Sequence, residues 1–217
     1  MSAEALTKLE PGGVRERILA EAQSLFAQLG YARTSTRAIA QAAQVHLALL
    51  HYHFGSKREL FRAAYLRGAA PVTEARRAAL DDLRRRWPQG DIPLPTLVRA
   101  FVTPFMLNGR TAEGRATMAM HARLHTEPDD IGREVLSLVY DDTTRAYLAA
   151  FRRVLPALDA ATICWRIYFM MGAYQYTLLR SGRLEMMSDG ACDSGDFETA
   201  VEQIVPFLCA GLAAPGG

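Results

Sequence analysis

Apolar residues recur at intervals of three and four along most of this chain of 217 residues, which is the spacing of an amphipathic helix. In the first such segment, residues 14–29, the apolar positions are Val14, Ile18, Leu25, Phe26 and Leu29. Gly30 is expected to end that helix. No segment alternates apolar and polar residues over a useful length, and no internal repeat is evident. The pattern therefore predicts an all-α fold.

The same periodicity predicts further helices after residue 56. A fourth helix is expected to run to about Arg67, where Gly68 and Pro71 interrupt it, before the helical pattern resumes as far as Trp87. Five more helices are expected at about 94–108, 113–125, 129–155, 159–181 and 195–213. The stretches between them contain Pro, Gly or runs of polar residues.

The stretch 30–60 predicts two short helices joined by a tight turn. Thr34 or Ser35 can cap the first of them, because a side-chain oxygen there can accept a hydrogen bond from a backbone N–H of the first turn. Small alanines let a second helix cross closely, and residues 43–45 are the expected turn. The inward positions of the second helix are then Val45, Leu50 and Phe54.

The outward face of that second helix has an unusual composition. A solvated helix face is normally charged and polar, whereas this one contains no acidic residue and several apolar residues. Its members are His46, Leu47, Ala48, Leu49, His51, Tyr52 and His53. One interpretation is an ordinary amphipathic core helix. The other is a recognition helix in a DNA major groove, where apolar side chains contact thymine methyls and imidazoles bond base edges or phosphates.

At these residues the chain resembles the TetR/AcrR family of one-component bacterial repressors. The positions that match the family pattern are Gly30, Tyr31, Thr34, Ser35, Ile39, Ala40, Ala43, Val45, Leu50, His53, Phe54, Ser56, Lys57 and Leu60. Gln44 stands where the family has a turn glycine, which raises the cost of a positive φ there. The chain also departs from the pattern at His46, Ala48 and His51, which all lie on the outward face.

The resemblance implies a homodimer that binds a palindromic operator on double-stranded DNA, with its two reading heads about one helical turn apart. Arg37 is the candidate for a guanine or phosphate contact from the preceding helix. Bases are expected to face Leu47, Ala48, Leu49 and His51, with His46 on the same reading face. Phosphates, which position the protein without specifying sequence, are expected to contact Thr34, Ser35, Tyr52, His53 and Lys57.

Charge and composition suggest how the chain divides. The net charge is +2, yet residues 1–62 contain eight Lys and Arg against five Asp and Glu, which suits a basic DNA-facing unit. We expect a flexible arm at 1–13, a helix-turn-helix domain at 14–60, and a ligand-binding and dimerisation domain at 61–217. The three cysteines form no disulfide framework or close-spaced metal motif, which suits a reducing cytoplasm.

The helix expected around 160–180 is apolar nearly all round, so it must be covered on more than one side. A membrane span is disfavoured by Arg166, because a charged side chain inside a bilayer costs about 2.5–3.5 kcal/mol, and we expect no membrane partner. In the family, the last two long helices pair with their counterparts in a homodimer, which requires such burial. Residues 126–129, 154–158 and 165–173 resemble the subgroup with a CecR-type C-terminal domain.

Methionine and aromatic residues lie on several C-terminal helices, where plain core packing explains most of them. Thioethers and rings can also line an adaptable apolar cavity, and the resemblance implies a pocket for a small apolar inducer. The candidate lining residues are Phe105, Met106, Met120, His121, Leu124, Tyr140, Trp165 and Phe169. Inducer binding is then expected to release DNA by population shift.

His121 and His125 share a helix face at the spacing of a metal-binding pair. No third ligand can be identified in the sequence, and a structural or pocket role is the other interpretation, so we predict no metal and no cofactor. No nucleophile elbow, phosphate-binding glycine loop or acid–base pair indicates an enzyme. The alternative function is an α-helical small-molecule or metal-binding protein whose N-terminal helices form a protein interaction surface.

Overall fold

The computed structural model describes residues 13–124, 129–177 and 181–215. Every regular element within those ranges is a helix, which confirms the predicted all-α fold. The α-helices are α1 (Val14–Arg33), α2 (Thr36–Ala42), α3 (Leu47–Phe54), α4 (Lys57–Arg86), α5 (Leu94–Leu107), α6 (Ala112–Arg123), α7 (Asp129–Val154), α8 (Ala160–Thr177), α9 (Arg183–Met187) and α10 (Phe197–Ala213), with a short 3₁₀ helix (Asn108–Arg110) after α5. Within the same ranges no helix combines the length and hydropathy needed to cross a membrane.

The chain divides into two compact units that are each discontinuous in sequence. The N-terminal unit comprises Met1–Ala69 and Ala112–Leu136, and the C-terminal unit comprises Ala70–Thr111 and Ser137–Gly217. The division expected from the sequence fell at residue 60 and assigned everything beyond it to one domain. α6 and the beginning of α7 fall in the N-terminal unit, where α6 packs along α1, and the functional division at residue 60 stays a prediction.

The N-terminal unit is built around α1, whose buried face includes Ile18, Leu19 and Phe26. The Phe26 ring meets the edge of Phe61 at a centroid distance of 4.8 Å. Polar contacts fasten α6 alongside: Gln23 donates from Nε2 to the Thr117 hydroxyl at 2.7 Å, and Arg123 donates to the carbonyl of Ala27 at 2.8 Å. These bonds explain why α6 follows α1 rather than the later helices.

The prediction that Gly68 and Pro71 interrupt the fourth helix is wrong, because α4 is continuous from Lys57 to Arg86. A Cβ built on Gly68 would lie 2.1 Å from the Thr117 hydroxyl oxygen and 2.4 Å from Gln23 Nε2. Glycine is therefore present to allow a close approach rather than to end the helix. Pro71 removes a single backbone donor on an exposed turn, and the helix continues past it.

The C-terminal unit has its core around Phe101 on α5. The Phe101 ring meets Tyr147 of α7 at 4.9 Å and Tyr174 of α8 at 6.2 Å between centroids. α10 packs against α5, and Arg99 donates two hydrogen bonds to the Glu202 carboxylate, at 2.5 and 2.8 Å. Three helices, α5, α7 and α8, thus converge on one aromatic centre, and α10 packs against α5.

The segment between α8 and α10 differs from the sequence-based expectation. α8 is described from Ala160 to Thr177 rather than to residue 181, and residues 178–180 lie outside the described part. The short α9 was not predicted, because five residues are too few to show a helical period. Its Glu185 carboxylate accepts hydrogen bonds from the backbone N–H and the hydroxyl of Ser194, at 2.8 and 2.6 Å.

Gly68→Ala is expected to destabilise the protein, since the added Cβ would overlap Thr117 and Gln23. Overpacking of this kind costs about 1–3 kcal/mol, measurable as a lower urea midpoint at unchanged slope. The Gly68→Ala/Thr117→Ala double variant removes the nearest overlapping atom, so its loss should be smaller than the sum of the two single losses. Strict additivity in this double-mutant cycle would show that the overlap is not the cause.

Candidate nucleic-acid interface

The two residues proposed as caps of α2 have different roles. Ser35 is the N-cap, and its hydroxyl oxygen accepts from the backbone N–H of Ala38 at 3.1 Å. Thr34 is buried, and its hydroxyl donates to the Gly30 carbonyl at 2.7 Å. That carbonyl is exposed to the hydroxyl because Gly30 leaves the helical region, with φ 80°. Thr34 therefore stabilises the end of α1 and does not present its side chain to a phosphate.

The turn between α2 and α3 is closed by Gln44, which adopts φ 54°. The backbone N–H of Val45 donates to the Ala40 carbonyl at 2.9 Å, which brings α3 across α2. Ala40 and Ala43 are buried beneath the crossing, as the sequence predicted. Glutamine thus takes the conformation that the family pattern assigns to glycine.

α3 separates an inner face from an outer one. Leu50 and Phe54 are buried, and Val45 is partly buried just ahead of the helix. The outer positions His46, Ala48, His51 and Tyr52 are exposed, whereas Leu47, Leu49 and His53 are half-buried. Tyr52 is 83% exposed, so a large aromatic side chain stands in solvent at the middle of this face. The absence of any carboxylate from the face leaves nothing that would repel a phosphate backbone.

His51 is held in a defined orientation by the end of its own helix. Its Nδ1 lies 3.1 Å from the Gly55 carbonyl oxygen. Because a carbonyl can only accept, this contact favours the tautomer with its hydrogen on Nδ1, in which Nε2 is an acceptor. This carbonyl is available because Gly55, with φ 69°, turns the chain away from α3.

Two cations flank α3. Arg37 is exposed on α2, and among the described residues it forms no hydrogen bond or ion pair. Lys57, in the first turn of α4, lies over the Tyr31 ring at 4.4 Å and donates to the Ala32 carbonyl at 3.3 Å. Lys57 is thereby fixed near the end of α1, whereas Arg37 keeps its side-chain freedom.

The eight candidate pocket residues are divided between the two units. Met120, His121 and Leu124 are buried in the N-terminal unit. Phe105 and Met106 are buried in the C-terminal unit, and Tyr140 is partly buried there. These six are interior or partly buried positions, three in each unit.

The other two candidates, Trp165 and Phe169, do not face the interior. They are 60% and 63% exposed, and their rings stack on each other at 5.7 Å on the outside of α8. The opposite face of the helix carries the core residues Ile163, Ile167, Met170 and Tyr174. The sequence could not separate the two faces, because both are apolar. With Tyr168, Tyr176 and Phe207 of α10, these rings form an exposed aromatic surface.

The C-terminal unit contains a cleft of about 340 Å³ between α4 and α7 that the sequence did not predict. Its lining includes five charged side chains, and none of the eight candidates. The lining residues are Thr73, Glu74, Arg77, Leu80, Asp81, Arg84, Val139, Asp142, Thr143, Ala146 and Tyr147. In the sequence these charges resemble a solvated helix face, and only the pairing of the two helices encloses them.

His121 is a buried polar residue of the core. Its Nδ1 lies 2.5 Å from the Tyr65 hydroxyl, and the two rings stack. His125, the proposed partner in a metal pair, lies outside the described residues. In the part of the chain that the structure describes, no three His, Cys, Asp or Glu side chains are grouped to hold a metal ion. The hydrogen bond to Tyr65 supports the structural interpretation of His121.

Gln44→Gly is expected to stabilise the protein by about 0.5–1 kcal/mol, because a residue with a Cβ is strained at positive φ. Gln41→Gly is the matched control: it removes the same exposed side chain from a helical position of α2 and should destabilise by about 0.5–1 kcal/mol. Thermal unfolding of both variants measures the two changes in stability. Equal losses at both positions would contradict the role assigned to the turn.

Comparison with protein families gives two matches that together span most of the chain. Residues 18–64 match a family described as bacterial regulatory proteins, tetR family. Residues 99–211 match a domain described as tetracyclin repressor-like, C-terminal domain. The second description is not the CecR-type one that the sequence suggested, so that subgroup stays a prediction. No curated protein sequence matches the chain significantly.

Solved structures share the fold at low sequence identity. A TetR-like transcriptional regulator from Rhodococcus sp. RHA1 superposes with a TM-score of 0.65 at 20% identity, covering 96% of this chain and 100% of that one. The TetR family regulator PfmR from Thermus thermophilus gives 0.58 at 21% identity, covering 88% and 97%. FadR from Bacillus subtilis, solved in complex with stearoyl-CoA, gives 0.57 at 13% identity, covering 90% and 97%.

Proposed function

This chain belongs to the TetR family of bacterial regulatory proteins, and we propose that it is a homodimeric repressor that releases a palindromic operator when a small apolar inducer binds. Proteins of this family are DNA-binding transcription factors rather than enzymes. The observation that carries the proposal is the outer face of α3, which is exposed, free of carboxylates and flanked by Arg37 and Lys57. The protein would act in the cytoplasm, where the chromosome is accessible.

Base recognition is proposed for Leu47, Ala48, Leu49 and His51, with His46 at the start of the helix. The orientation of His51 makes this specific: an Nε2 acceptor bonds the adenine N6 or cytosine N4 amino group, which are the donors of the major groove. The small Ala48 side chain lets the helix approach a thymine methyl closely. A site with A or C opposite His51 is therefore expected.

Phosphate contacts are proposed for Ser35, Tyr52, His53 and Lys57, and for Arg37 where it does not reach a guanine. The Ser35 oxygen already accepts from Ala38, so its own hydrogen remains to be donated to a phosphate. Lys57 would approach the DNA backbone from a position near the end of α1, where its ammonium group contacts the Tyr31 ring and the Ala32 carbonyl. Thr34 is omitted, since its hydroxyl is committed to Gly30.

Dimerisation is proposed through α8 and α10. Their exposed aromatic side chains, Trp165, Tyr168, Phe169, Tyr176 and Phe207, are each at least 60% exposed, and exposed apolar side chains grouped on one surface are typical of interaction sites. Pairing of this surface with its counterpart in a second copy would bury it and would set two α3 helices to read a two-fold symmetric site. The inducer would then act on the spacing of the two heads.

Selection of bound fragments from random duplex DNA tests the function directly. We expect a two-fold symmetric motif whose binding weakens steeply with salt, because phosphate contacts release counterions. Enrichment that is absent even with ligand-stripped protein, or binding that is insensitive to salt, would favour the alternative of a helical protein whose N-terminal unit binds another protein.

His51→Ala and Lys57→Ala should separate base contacts from phosphate contacts. His51→Ala is expected to relax the preference at one operator position by about 0.5–1.5 kcal/mol, the usual contribution of one hydrogen bond. Lys57→Ala should weaken all sequences equally and lower the salt slope by about two, which is about one for each subunit of the dimer. Competition binding with single-base operator variants measures both. Unchanged base preference in His51→Ala would place the reading face elsewhere.

Trp165→Glu and Phe169→Glu are each expected to convert the dimer to monomer, because an interfacial carboxylate would be buried without a partner. Met187→Glu is the matched control, since Met187 on α9 is 72% exposed and lies outside the aromatic surface. Sedimentation velocity at micromolar concentration distinguishes the states. A dimer that survives both α8 substitutions would mean that other residues form the interface.

A further inference from the structure

Among the described residues of the C-terminal unit, the most deeply buried cation is Arg76 on α4, which is only 2% exposed. Its Nε donates to the Phe101 carbonyl at 2.7 Å, and one terminal nitrogen donates to the Tyr174 hydroxyl at 3.3 Å. Tyr147 fixes the backbone at the same point, since its hydroxyl donates to the Arg76 carbonyl at 2.9 Å. The guanidinium is therefore held by α5 and α8, and α7 fixes the backbone of the same residue.

Aromatic rings surround the guanidinium. Its central carbon lies 3.9 Å from the centroid of Phe101, 5.5 Å from Phe105 and 5.8 Å from Tyr174. Ring faces attract a cation, but each contributes far less than a carboxylate would in the same place. These three rings therefore give the guanidinium apolar contact area but compensate only part of its positive charge.

No carboxylate of the described residues pairs with Arg76, and its two hydrogen bonds use two of its five N–H donors. More exposed arginines of the same chain are paired: Arg67 meets Glu16 at 2.9 Å, and Arg99 meets Glu202. Buried charges normally have an ionic partner, because desolvation is otherwise uncompensated. Among the described residues the charge of Arg76 is therefore balanced only by one carbonyl, one hydroxyl and three rings.

We propose that Arg76 binds the carboxylate of the inducer, and that the inducer is an organic anion with an apolar body. The carboxylate replaces the Tyr174 hydroxyl, the longer of the two contacts, and takes the remaining donors of the planar guanidinium fork. The rings of Phe101, Phe105 and Tyr174 contact the apolar body. This inference rests on the proposed function, which requires a ligand in the C-terminal unit.

The α4–α7 cleft does not offer an anion the same environment. Three carboxylates, those of Glu74, Asp81 and Asp142, line it with two arginines. Of these arginines, Arg84 already lies 3.4 Å from Asp81. Arg77 lies beside Arg76 in sequence but is exposed, so it serves as the matched control for charge removal on α4.

The test is calorimetric titration of ligand-stripped full-length protein, without DNA, with two carboxylates and their neutral analogues. The pairs are decanoate with 1-decanol, and 2-naphthoate with 2-naphthalenemethanol. At least one carboxylate should bind about tenfold to hundredfold more tightly than its alcohol, the range for one charge-assisted hydrogen-bonded pair. Arg76→Met should abolish that preference and Arg77→Met should keep it. Tyr174→Phe, which removes the competing hydroxyl, should keep or increase it.

Several results would overturn the proposal: no binding of either carboxylate, equal affinity for carboxylate and alcohol, or equal losses in Arg76→Met and Arg77→Met. If Arg76→Met does not fold, the proposal is still tested by the preference of the wild-type protein for carboxylate over alcohol. The titrations of Tyr174→Phe and Arg77→Met then serve as the comparison. If no DNA motif is selected but the protein still prefers carboxylates, the repressor function is refuted and the anion site is supported. The reverse result would refute the anion site alone.

Discussion

The close approach of α4 to α1 and α6 at Gly68 is the constraint on which the N-terminal unit depends. With no Cβ at this position, Gln23 and Thr117 can form their buried hydrogen bond directly beneath α4. Arg67, one residue earlier, pairs with Glu16 of α1 and Glu113 of α6 and so fastens the same three helices from the outside. Since α1 also contacts α2 and α3, the position of the reading face depends on this junction.

Polar side chains also fix the helix junctions of the C-terminal unit. Pro104 leaves the Ala100 carbonyl of α5 without its helical donor, and the Tyr147 hydroxyl donates to that oxygen at 3.1 Å. Burial raises the pKa of Tyr147, so this hydroxyl remains a donor at neutral pH. The one hydroxyl hydrogen is shared with the Arg76 carbonyl of α4 at 2.9 Å. Apolar packing alone tolerates sliding between helices, whereas directed polar contacts of this kind favour a single register. Arg76 belongs to the same junction, but no carboxylate of the described residues balances its charge.

The departures from the family pattern have unequal consequences. Gln44 changes only the local energy of the turn, because it adopts the same positive φ as glycine. His51 changes what the surface can recognise, because its bond to Gly55 determines which ring nitrogen can accept from a base. The family fold therefore explains why the outer face of α3 is exposed. The few outward side chains that depart from the family pattern would determine which DNA bases that face recognises.

Local periodicity, caps and turns were enough to predict the all-α fold, the helix-turn-helix and the burial of Leu50 and Phe54 from the sequence. The sequence misassigned the interruption of α4, since a glycine that permits a close approach and a glycine that ends a helix look alike until the neighbours Gln23 and Thr117 are known. It could not divide α8 into a core face and an exposed aromatic face, because both faces are apolar. Only the tertiary structure placed Arg76 among three rings with no carboxylate of the described residues beside it, since the isolation of a charge depends on which helices meet around it.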